Sequence, residues 1–267
     1  MAQRSTPRRP AKKQLGQHFL VDENLLGVIG RLSQPVPDDV VLEVGPGLGV
    51  LTSYLAERAG VVHAVELDRS LEPDLADCLA GRTNVRLHFG DALAMDLAAL
   101  DPAPTKLVSN LPYNIATPLV VESLDGLPTV ELWCVMVQRE VADRLFAEPS
   151  TKAYGTVSVL VQLTAERTGF HPVSRTVFRP RPNVDSALVA FRRRESNGSW
   201  DYPRVKQIVG AAFAHRRKRL ANSLELAGLA DRDQAAVALE AIGRDRAARA
   251  EELAPQEFIT LAGALGE

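Results

Sequence analysis

The chain of 267 residues lacks any hydrophobic run long enough to cross a membrane. Its most apolar stretches, such as residues 40–44 and 132–137, span only a few residues, whereas a membrane-spanning helix needs about 20. The first 14 residues are basic but lack the apolar centre of a secretory signal, which predicts a cytoplasmic protein with no membrane partner. An arginine-rich start is also typical of transit peptides, and that alternative stays open.

Cysteine is nearly absent as well. Only Cys78 and Cys134 occur, far apart in the sequence and without the spacing of metal ligands. This pattern supports neither a disulfide framework nor a zinc site. We expect both cysteines to be small buried apolar residues, and we expect no bound metal.

The chain also has no overall excess of positive charge. Its formal net charge is −2 and its pI is about 6.2, an average that argues against a nucleic-acid partner. The charges are segregated, however, because residues 1–21 hold five basic and no acidic residues, and residues 175–219 hold twelve basic and three acidic residues. If folding brings these segments together, they form one polyanion-binding face. The alternative is a solvated tail and a solvated helix face.

Short apolar runs alternate with helical patterns along most of the chain. Strands are predicted at 40–44, 61–65, 85–89, 107–109, 131–137, 166–173 and 187–192, and helices at 22–32, 50–59, 71–79, 117–123, 139–146 and 156–163. This alternation favours an α/β fold with a parallel, doubly wound sheet, which binds ligands beyond the carboxyl ends of its strands. The composition shifts to a linker at 195–199, and helical periodicity follows at 205–214, 219–226, 234–242 and 256–264. We therefore divide the chain into a basic arm with the start of a cofactor motif (1–21), a Rossmann-like domain (22–194) and a small all-α domain (195–267).

A glycine-rich segment, Glu43-Val44-Gly45-Pro46-Gly47-Leu48-Gly49, directly follows the first predicted buried strand. It is not the dinucleotide fingerprint, because Val50 stands where the third glycine would be, and no Gly-Lys-Ser/Thr of a phosphate-binding loop follows. Glu66 ends the next strand, 21 residues after Gly45, a distance that suits a carboxylate bound to ribose hydroxyls. The pattern indicates a nucleoside cofactor without a pyrophosphate and disfavours a nicotinamide dehydrogenase. An ordinary glycine-rich turn is the alternative.

Two further polar features follow predicted strands. Asp91 can accept a hydrogen bond from the exocyclic amine of a bound adenine, or it can cap a helix. In Asn110-Leu111-Pro112-Tyr113, the Asn110 side-chain oxygen and the Leu111 carbonyl can accept both hydrogens of an adenine amine and expose its lone pair. Pro112 stiffens the turn, and Tyr113 offers a face for an extruded base. The alternative is a strand-to-helix turn in which Asn110 caps and Tyr113 packs.

Taken in order, these motifs resemble the S-adenosylmethionine-dependent rRNA adenine N6,N6-dimethyltransferases. The resemblance also includes Gln17-His18-Phe19-Leu20, the continuation Asn114-Ile115, the stretch from Phe178 to Ala187 (FRPRPNVDSA) and the stretch from Phe213 to Leu224 (FAHRRKRLANSL). It covers about residues 12–265. It looks closest to the small-subunit branch, which in bacteria dimethylates two adjacent adenosines in the 3′-terminal hairpin loop of 16S rRNA.

The resemblance implies a role for each matching position. S-adenosylmethionine would be bound by His18, Leu20, Gly45, Gly47, Glu66, Leu67, Asp91, Ala92 and Asn110, with Gly45 under the methionine part, Glu66 at the ribose and Asp91 at the adenine. His18 stands where many members carry asparagine, and both side chains can hydrogen-bond; a packed surface residue is its alternative. Catalysis would involve Asn110, Leu111, Pro112 and Tyr113.

The implied substrate is 16S rRNA in the small ribosomal subunit or its precursor, bound by a monomer. Tyr113 and Phe178 would stack on the target adenine, with a core position as the alternative for Phe178. The RNA-binding residues would be Arg192, Arg193, Arg194, Arg216, Arg217, Lys218 and Arg219.

Two other functions remain to be weighed. A large-subunit dimethylase of the macrolide-resistance type would share the chemistry, but such chains tend to be basic throughout, whereas this one has an acidic body. A ribosome-assembly or transcription factor on the same fold would not need an active site. The intact Glu66, Asp91 and Asn110–Tyr113 argue against a dead site but leave an additional assembly role open.

Overall fold

The computed structural model describes residues 12, 17–20, 22–195 and 200–266. Most of the predicted basic arm and of the predicted linker at 195–199 lies outside the described residues. Contacts divide the chain into two compact units, one of Met1–Ala142 with Arg167–Arg193 and the other of Asp143–Glu166 with Arg194–Glu267.

Strands and helices alternate through the first two thirds of the described chain, and helices make up the rest. In chain order they are β1 (Phe19–Leu20), α1 (Glu23–Ser33), β2 (Val40–Val44), α2 (Val50–Ala56), β3 (Val61–Glu66), α3 (Glu72–Cys78), β4 (Val85–Phe89), β5 (Lys106–Asn110), α4 (Ala116–Gly126), β6 (Leu132–Gln138), α5 (Arg139–Leu145), α6 (Thr156–Thr164), β7 (Ala165–Val173), β8 (Phe178–Arg179), β9 (Ser186–Arg193), α7 (Tyr202–Ala214), α8 (Leu220–Leu226), α9 (Arg232–Ala241) and α10 (Pro255–Ala264). No described helix is both long and apolar enough to span a bilayer.

Helix α1 shows how the local sequence sets an element. The Asp22 side chain accepts a hydrogen bond from Asn24 N at 2.8 Å and caps the first turn, which satisfies a donor that the helix cannot pair internally. Leu25, Leu26 and Ile29 recur on one face and are buried in the main core of the first unit. The cap and the apolar stripe together place α1 against the sheet.

A seven-stranded sheet with the order β4-β3-β2-β5-β6-β9-β7 forms the centre of the first unit. The pairs β2–β3, β3–β4, β2–β5 and β5–β6 are parallel. All five residues of β2 are buried, as is usual for a parallel strand covered on both faces. Since parallel strands end at the same edge, the segments after β2, β3, β4 and β5 converge there.

The last strands depart from the predicted parallel sheet. Strand β9 runs antiparallel to β6, and Ser186 at its start lies opposite Gln138 at the end of β6. The neighbouring strands β7 and β9 are joined by a segment that contains no α-helix, whereas a parallel neighbour requires a crossover connection, usually a helix. The sequence analysis also missed the two-residue pairing of β1 with β8, because two residues show no periodicity.

The second unit consists mainly of α6, α7, α8, α9 and α10. The predicted second domain begins at residue 195, whereas the second unit also includes residues 143–166. The buried Tyr154 hydroxyl donates to Leu253 O at 2.7 Å, and Ser150 N donates to Glu251 O at 2.7 Å. These contacts join positions about a hundred residues apart, which periodicity along the sequence does not detect.

Neither cysteine forms a disulfide. Cys134 is buried in β6, as expected, but Cys78 at the end of α3 is only half-buried.

Candidate active site

The segments that follow β2, β3, β4 and β5 meet in one cleft at the carboxyl edge of the sheet, and the N-terminal segment adds residues 17–20. Every residue predicted to bind the cofactor or to act in catalysis lines this cleft: His18, Leu20, Gly45, Gly47, Glu66, Leu67, Asp91, Ala92, Asn110, Leu111, Pro112 and Tyr113. The structure also brings Gln17 and Glu43 to the cleft, for which the sequence analysis proposed no role.

The glycine-rich loop after β2 is constrained by close neighbours. Gly45 has φ of +78°, and a Cβ atom there would lie 2.9 Å from Pro112 Cγ. Gly47 has φ of +59°, and a Cβ atom there would lie 2.9 Å from the Phe19 ring. Both the left-handed backbone and the lack of space require glycine. The loop therefore passes directly beside the Asn110–Tyr113 turn and the N-terminal segment.

Glu66 lies at the end of β3 with both carboxylate oxygens engaged. Oε2 accepts from Gly47 N at 3.1 Å, and Oε1 accepts from Asp68 N at 2.9 Å. Burial raises the pKa of Glu66, and the two backbone hydrogen bonds counteract this effect. This carboxylate is thereby held beside the glycine loop, where the sequence analysis places a ribose.

Glu43 is a second carboxyl group in the cleft. Its side chain is buried, and Oε2 has no hydrogen-bond partner within the described residues. Burial raises the pKa of Glu43 to about 8; the Thr52 hydroxyl offsets part of this rise, and the nearby Glu66 adds to it. At neutral pH the Glu43 carboxyl therefore carries a proton and can donate a hydrogen bond. The feature of the sequence that could have identified Glu43 as a cleft residue is its position near the end of β2, two residues before Gly45.

Asn110 is oriented by the N-terminal segment. Its Nδ2 donates to His18 O at 3.1 Å, so the side-chain oxygen remains the acceptor that the amide can offer a substrate. The His18 ring bonds through Nδ1 to Pro180 O at 2.8 Å. Since a carbonyl only accepts, Nδ1 carries the proton, which leaves Nε2 as an acceptor in the neutral ring.

Tyr113 is fixed at two points. Its hydroxyl lies 2.6 Å from Ser186 Oγ at the buried start of β9, and its ring centroid lies 5.4 Å from that of His18. Burial raises the pKa of the Tyr113 hydroxyl, so the side chain stays neutral. In the same turn, Leu111 N donates to Met136 O at 3.1 Å, which ties this turn to β6.

Asp91 lines the cleft and also stabilises a local turn. Its Oδ1 accepts from Leu93 N at 3.0 Å; no helix begins at this position, so the prediction that Asp91 could cap a helix is wrong. The side chain is exposed, so the carboxylate can accept a further hydrogen bond.

Phe178 does not line the cleft. It is fully buried in the main core and pairs through its backbone with Leu20. This placement corrects the prediction that Phe178 stacks on a target base and favours its core alternative.

The predicted RNA-binding residues fall into three groups. Arg193 donates to Val130 O, Leu124 O and Leu127 O at 2.8–3.0 Å, so its guanidinium group anchors the end of α4; this corrects its assignment to RNA. Arg194 and Arg216 are exposed but also donate to backbone carbonyls. Arg192, Arg217, Lys218 and Arg219 are exposed, and within the described residues no side-chain partner engages them.

Comparison with known proteins identifies the family. Residues 8–265 match the sequence profile described as ribosomal RNA adenine dimethylase. The chain belongs to the ribosomal RNA adenine dimethylase family. It is accordingly a methyltransferase, and its methyl donor is S-adenosylmethionine.

Two bacterial relatives align with nearly the whole chain. The chain is 48% identical over 256 residues to the ribosomal RNA small subunit methyltransferase A of Rubrobacter xylanophilus, with 96% of this chain and 95% of that protein covered. It is 44% identical over 265 residues to the protein of the same name from Lactiplantibacillus plantarum, with 95% and 90% covered.

Solved structures confirm the predicted Rossmann-like methyltransferase fold. A dimethyladenosine transferase from Plasmodium falciparum is similar with a TM-score of 0.77 and 23% identity, over 91% of this chain and 96% of that one. The 23S rRNA methyltransferase ErmE is similar with a TM-score of 0.68 and 29% identity, over 93% and 100%.

The cleft fits the cofactor of this family. Gly45 and Gly47 line the cleft with backbone atoms, and no side chain of theirs stands between that backbone and a ligand. The unpartnered Glu43 Oε2 and the fixed Glu66 carboxylate provide polar atoms in the same cleft. A nucleoside with a charged amino-acid tail requires this combination of close backbone and polar groups.

Proposed function

We propose that the chain dimethylates the N6 amines of two adjacent adenosines in the 3′-terminal hairpin loop of 16S rRNA, in the small ribosomal subunit or its precursor. Two observations support this target. The relatives named small subunit methyltransferase A reach 44–48% identity over at least 90% of their length. The 23S rRNA methyltransferase reaches 29%.

The observation that carries the chemistry is the orientation of Asn110 in the cleft. An adenine amine is a poor nucleophile because its lone pair is delocalised into the ring. With Nδ2 held by His18 O, the Asn110 oxygen accepts one amine hydrogen, and the Leu111 carbonyl accepts the other. These two acceptors draw the nitrogen toward tetrahedral geometry and expose its lone pair.

Tyr113 holds the base in place. Because its hydroxyl is bonded to Ser186, its ring has a fixed plane on which an adenine extruded from the RNA can stack. Bound S-adenosylmethionine supplies the electrophilic methyl group. The amine gains the methyl group first and sheds its proton afterwards, so no strong base is needed before attack, and the residues of the cleft contribute mainly proximity and orientation.

The test uses small subunits purified from cells that lack these dimethyladenosines. The wild-type chain should add methyl groups to 16S rRNA, located by mass spectrometry of rRNA fragments. We expect Asn110→Ala to lower kcat/KM by about 100-fold or more, since oxyanion-type acceptors and donors contribute on that scale. Asn24→Ala, on the exposed surface of α1, is the matched control.

Turnover of Asn110→Ala near the wild-type rate would refute the role of Asn110. Methylation of 23S rather than 16S rRNA would redirect the proposal to the large subunit, the alternative that the similarity to ErmE favours.

We further propose a cytoplasmic monomer. Ribosomal particles are assembled in the bacterial cytoplasm, which supports the compartment. The large apolar side chains exposed in the described chain are limited to Val36, Leu67, Leu93, Val184, Leu226 and Val237, which supports the monomer because obligate subunit interfaces bury large apolar surfaces. A dimer in sedimentation equilibrium would contradict it.

A further inference from the structure

Strand β8 and the segment after it contact residues that line the active-site cleft. Arg179 is the backbone partner of Phe19 in the β1–β8 pair, and Phe19 lines the cleft. The next carbonyl, Pro180 O, bonds the His18 ring. Arg181 follows that carbonyl directly. Both arginines are therefore carried by backbone that touches the cleft wall.

Arg179 and Arg181 are exposed, and within the described part of the chain neither has a hydrogen-bond or ion-pair partner. The other charges of this segment are engaged with each other. Arg175 N donates to Asp185 Oδ1 at 3.1 Å, and Arg175 Nη1 donates to Asn183 O at 2.8 Å. Arg175 Nε also lies 3.7 Å from Asp185 Oδ1, so the acid nearest in sequence pairs with Arg175. Within the described residues, Arg179 and Arg181 are thus unpaired positive charges on backbone that contacts the cleft wall.

An adenine that enters this cleft must be extruded from its strand, which requires the backbone on either side to be held. Residues two positions apart lie at most roughly 7 Å from each other, a separation comparable with that of neighbouring phosphates on one strand. Pro180 and Pro182 restrict φ and so limit the conformational freedom of the segment. Arginine is well suited to phosphate because it donates in a planar fork.

We propose that Arg179 and Arg181 bind consecutive RNA phosphates next to the adenosine that enters the cleft. This inference rests on the proposed function and names a contact that its chemistry requires. The two arginines form the phosphate-binding part of the active-site mouth, separate from the basic residues of the second unit.

The experiment measures equilibrium binding of the full-length protein to unmethylated small subunits at several salt concentrations, together with kcat/KM for methyl transfer. We expect the double variant Arg179→Gln/Arg181→Gln to bind the particles about tenfold more weakly or worse. The slope of log K against log salt should become shallower by about 1 to 2, since each phosphate contact to a single strand contributes about 0.7. Affinity for S-adenosylhomocysteine and the Tm should stay at the wild-type values.

Two further variants sharpen the test. Arg179→Lys/Arg181→Lys keeps both charges but not the planar fork, so it should keep the salt slope and lose less affinity than the double glutamine variant. Arg86→Gln removes an exposed arginine from β4, an edge strand of the seven-stranded sheet, and should bind as the wild type does.

Unchanged particle affinity and salt slope in the double glutamine variant would overturn the proposal. Because binding is measured without turnover, this result is distinct from failure of the proposed function. Failure of the proposed function would appear as a wild-type protein that binds the particles and leaves 16S rRNA unmethylated. A wild-type protein that neither binds nor methylates the particles would overturn both.

Discussion

Asn110 illustrates how one backbone carbonyl decides what a side-chain amide offers a substrate. The bond from Nδ2 to His18 O excludes the flipped amide, because two acceptors would then face each other. The sequence could predict that Asn110 faces a cofactor from its motif. It could not predict the orienting partner, which lies 92 positions earlier in the chain.

We predict that methyl transfer depends on the Tyr113 ring more than on its hydroxyl. Tyr113→Phe should keep most activity and lose about 1 kcal/mol of stability, because it removes one buried hydrogen bond and leaves Ser186 without a partner. Tyr113→Ala should lower kcat/KM far more, since it removes the stacking surface. Steady-state kinetics and urea unfolding of both variants provide the measurement. Equal kcat/KM for the two variants would argue against stacking.

Glu43 is expected to make stability depend on pH. In the unfolded chain its carboxyl ionises near pH 4.5, whereas its pKa in the fold is about 8. The folded state therefore retains the proton over this range, and Glu43 makes folding less favourable as the pH rises from 4.5 to 8. The stability of Glu43→Gln relative to wild type should increase over that interval and stay constant above it, as measured by urea unfolding across the range.

Glu57→Gln serves as the contrasting control for this pH dependence. Hydrogen bonding to Arg82 lowers the pKa of the exposed Glu57, so its contribution has the opposite sign. A constant difference between Glu43→Gln and wild type from acidic to alkaline pH would contradict the buried protonated carboxyl.

Among elements, the N-terminal segment is held to the cleft by a carboxylate. Asp68 accepts from Lys12 Nζ at 2.7 Å and from Gln17 Nε2 at 3.0 Å. Although burial raises the pKa of Asp68, hydrogen bonds from Lys12, Ser70 and Gln17 outweigh it and hold the pKa below its ordinary value. Asp68 N also bonds Glu66, so the tie connects this segment to the proposed ribose site.

We therefore expect weaker cofactor binding when the hydrogen bonds from Lys12 and Gln17 to Asp68 are removed. Lys12→Gln should lower the affinity for S-adenosylhomocysteine about threefold, because Lys12 is half-exposed and such ion pairs contribute little. Asp68→Asn should lower it about tenfold, because its amide cannot accept at both atoms. Calorimetry measures both, with Lys218→Gln as the charge-matched control. Wild-type affinity in Asp68→Asn would show that the tie does not affect the cofactor.

Element bounds were predicted well where a long apolar run or a cap marks them. Strands β2 and β4 have the predicted limits, and α1 begins after Asp22 as its cap indicates. Helix α2 ends at Ala56 rather than at residue 59. The antiparallel β9 and the short β1–β8 pair were not predicted, because strand direction and two-residue pairings depend on contacts distant in the sequence.

At the scale of the whole molecule, local positive charge is not equivalent to RNA-binding capacity. Arg193 lies in a basic run, but its guanidinium group serves the backbone of α4 and stacks over Trp133 at 5.0 Å. The sequence shows that basic residues are concentrated in residues 1–21 and 175–219. It could not separate those engaged by carbonyls from those that face solvent, because this distinction appears only after folding.

Basic side chains that face solvent and those that donate to backbone carbonyls should respond differently to neutralisation. Neutralising Arg217, Lys218 and Arg219 together with glutamine should leave the Tm unchanged and reduce the salt slope of particle binding by about 2 to 3 if each meets a phosphate. Arg193→Gln should lower the Tm, because it leaves carbonyls at the end of α4 without donors, and should not change the salt slope. Thermal unfolding measures the Tm of both variants, and salt titrations measure their salt slopes. If only the triple variant had a lower Tm, the structural role would belong to residues 217–219 and not to Arg193.

The pairing of Phe19 with Arg179 has a consequence for how the protein is made. These residues are 160 positions apart in the chain, and a ribosome releases the N-terminal end first. The glycine loop and Glu66 emerge long before the strand that fastens residues 17–20 over them. The cleft is therefore completed only when the first unit is almost fully synthesised, so a nascent chain cannot close it until the FRPRP segment has left the ribosome.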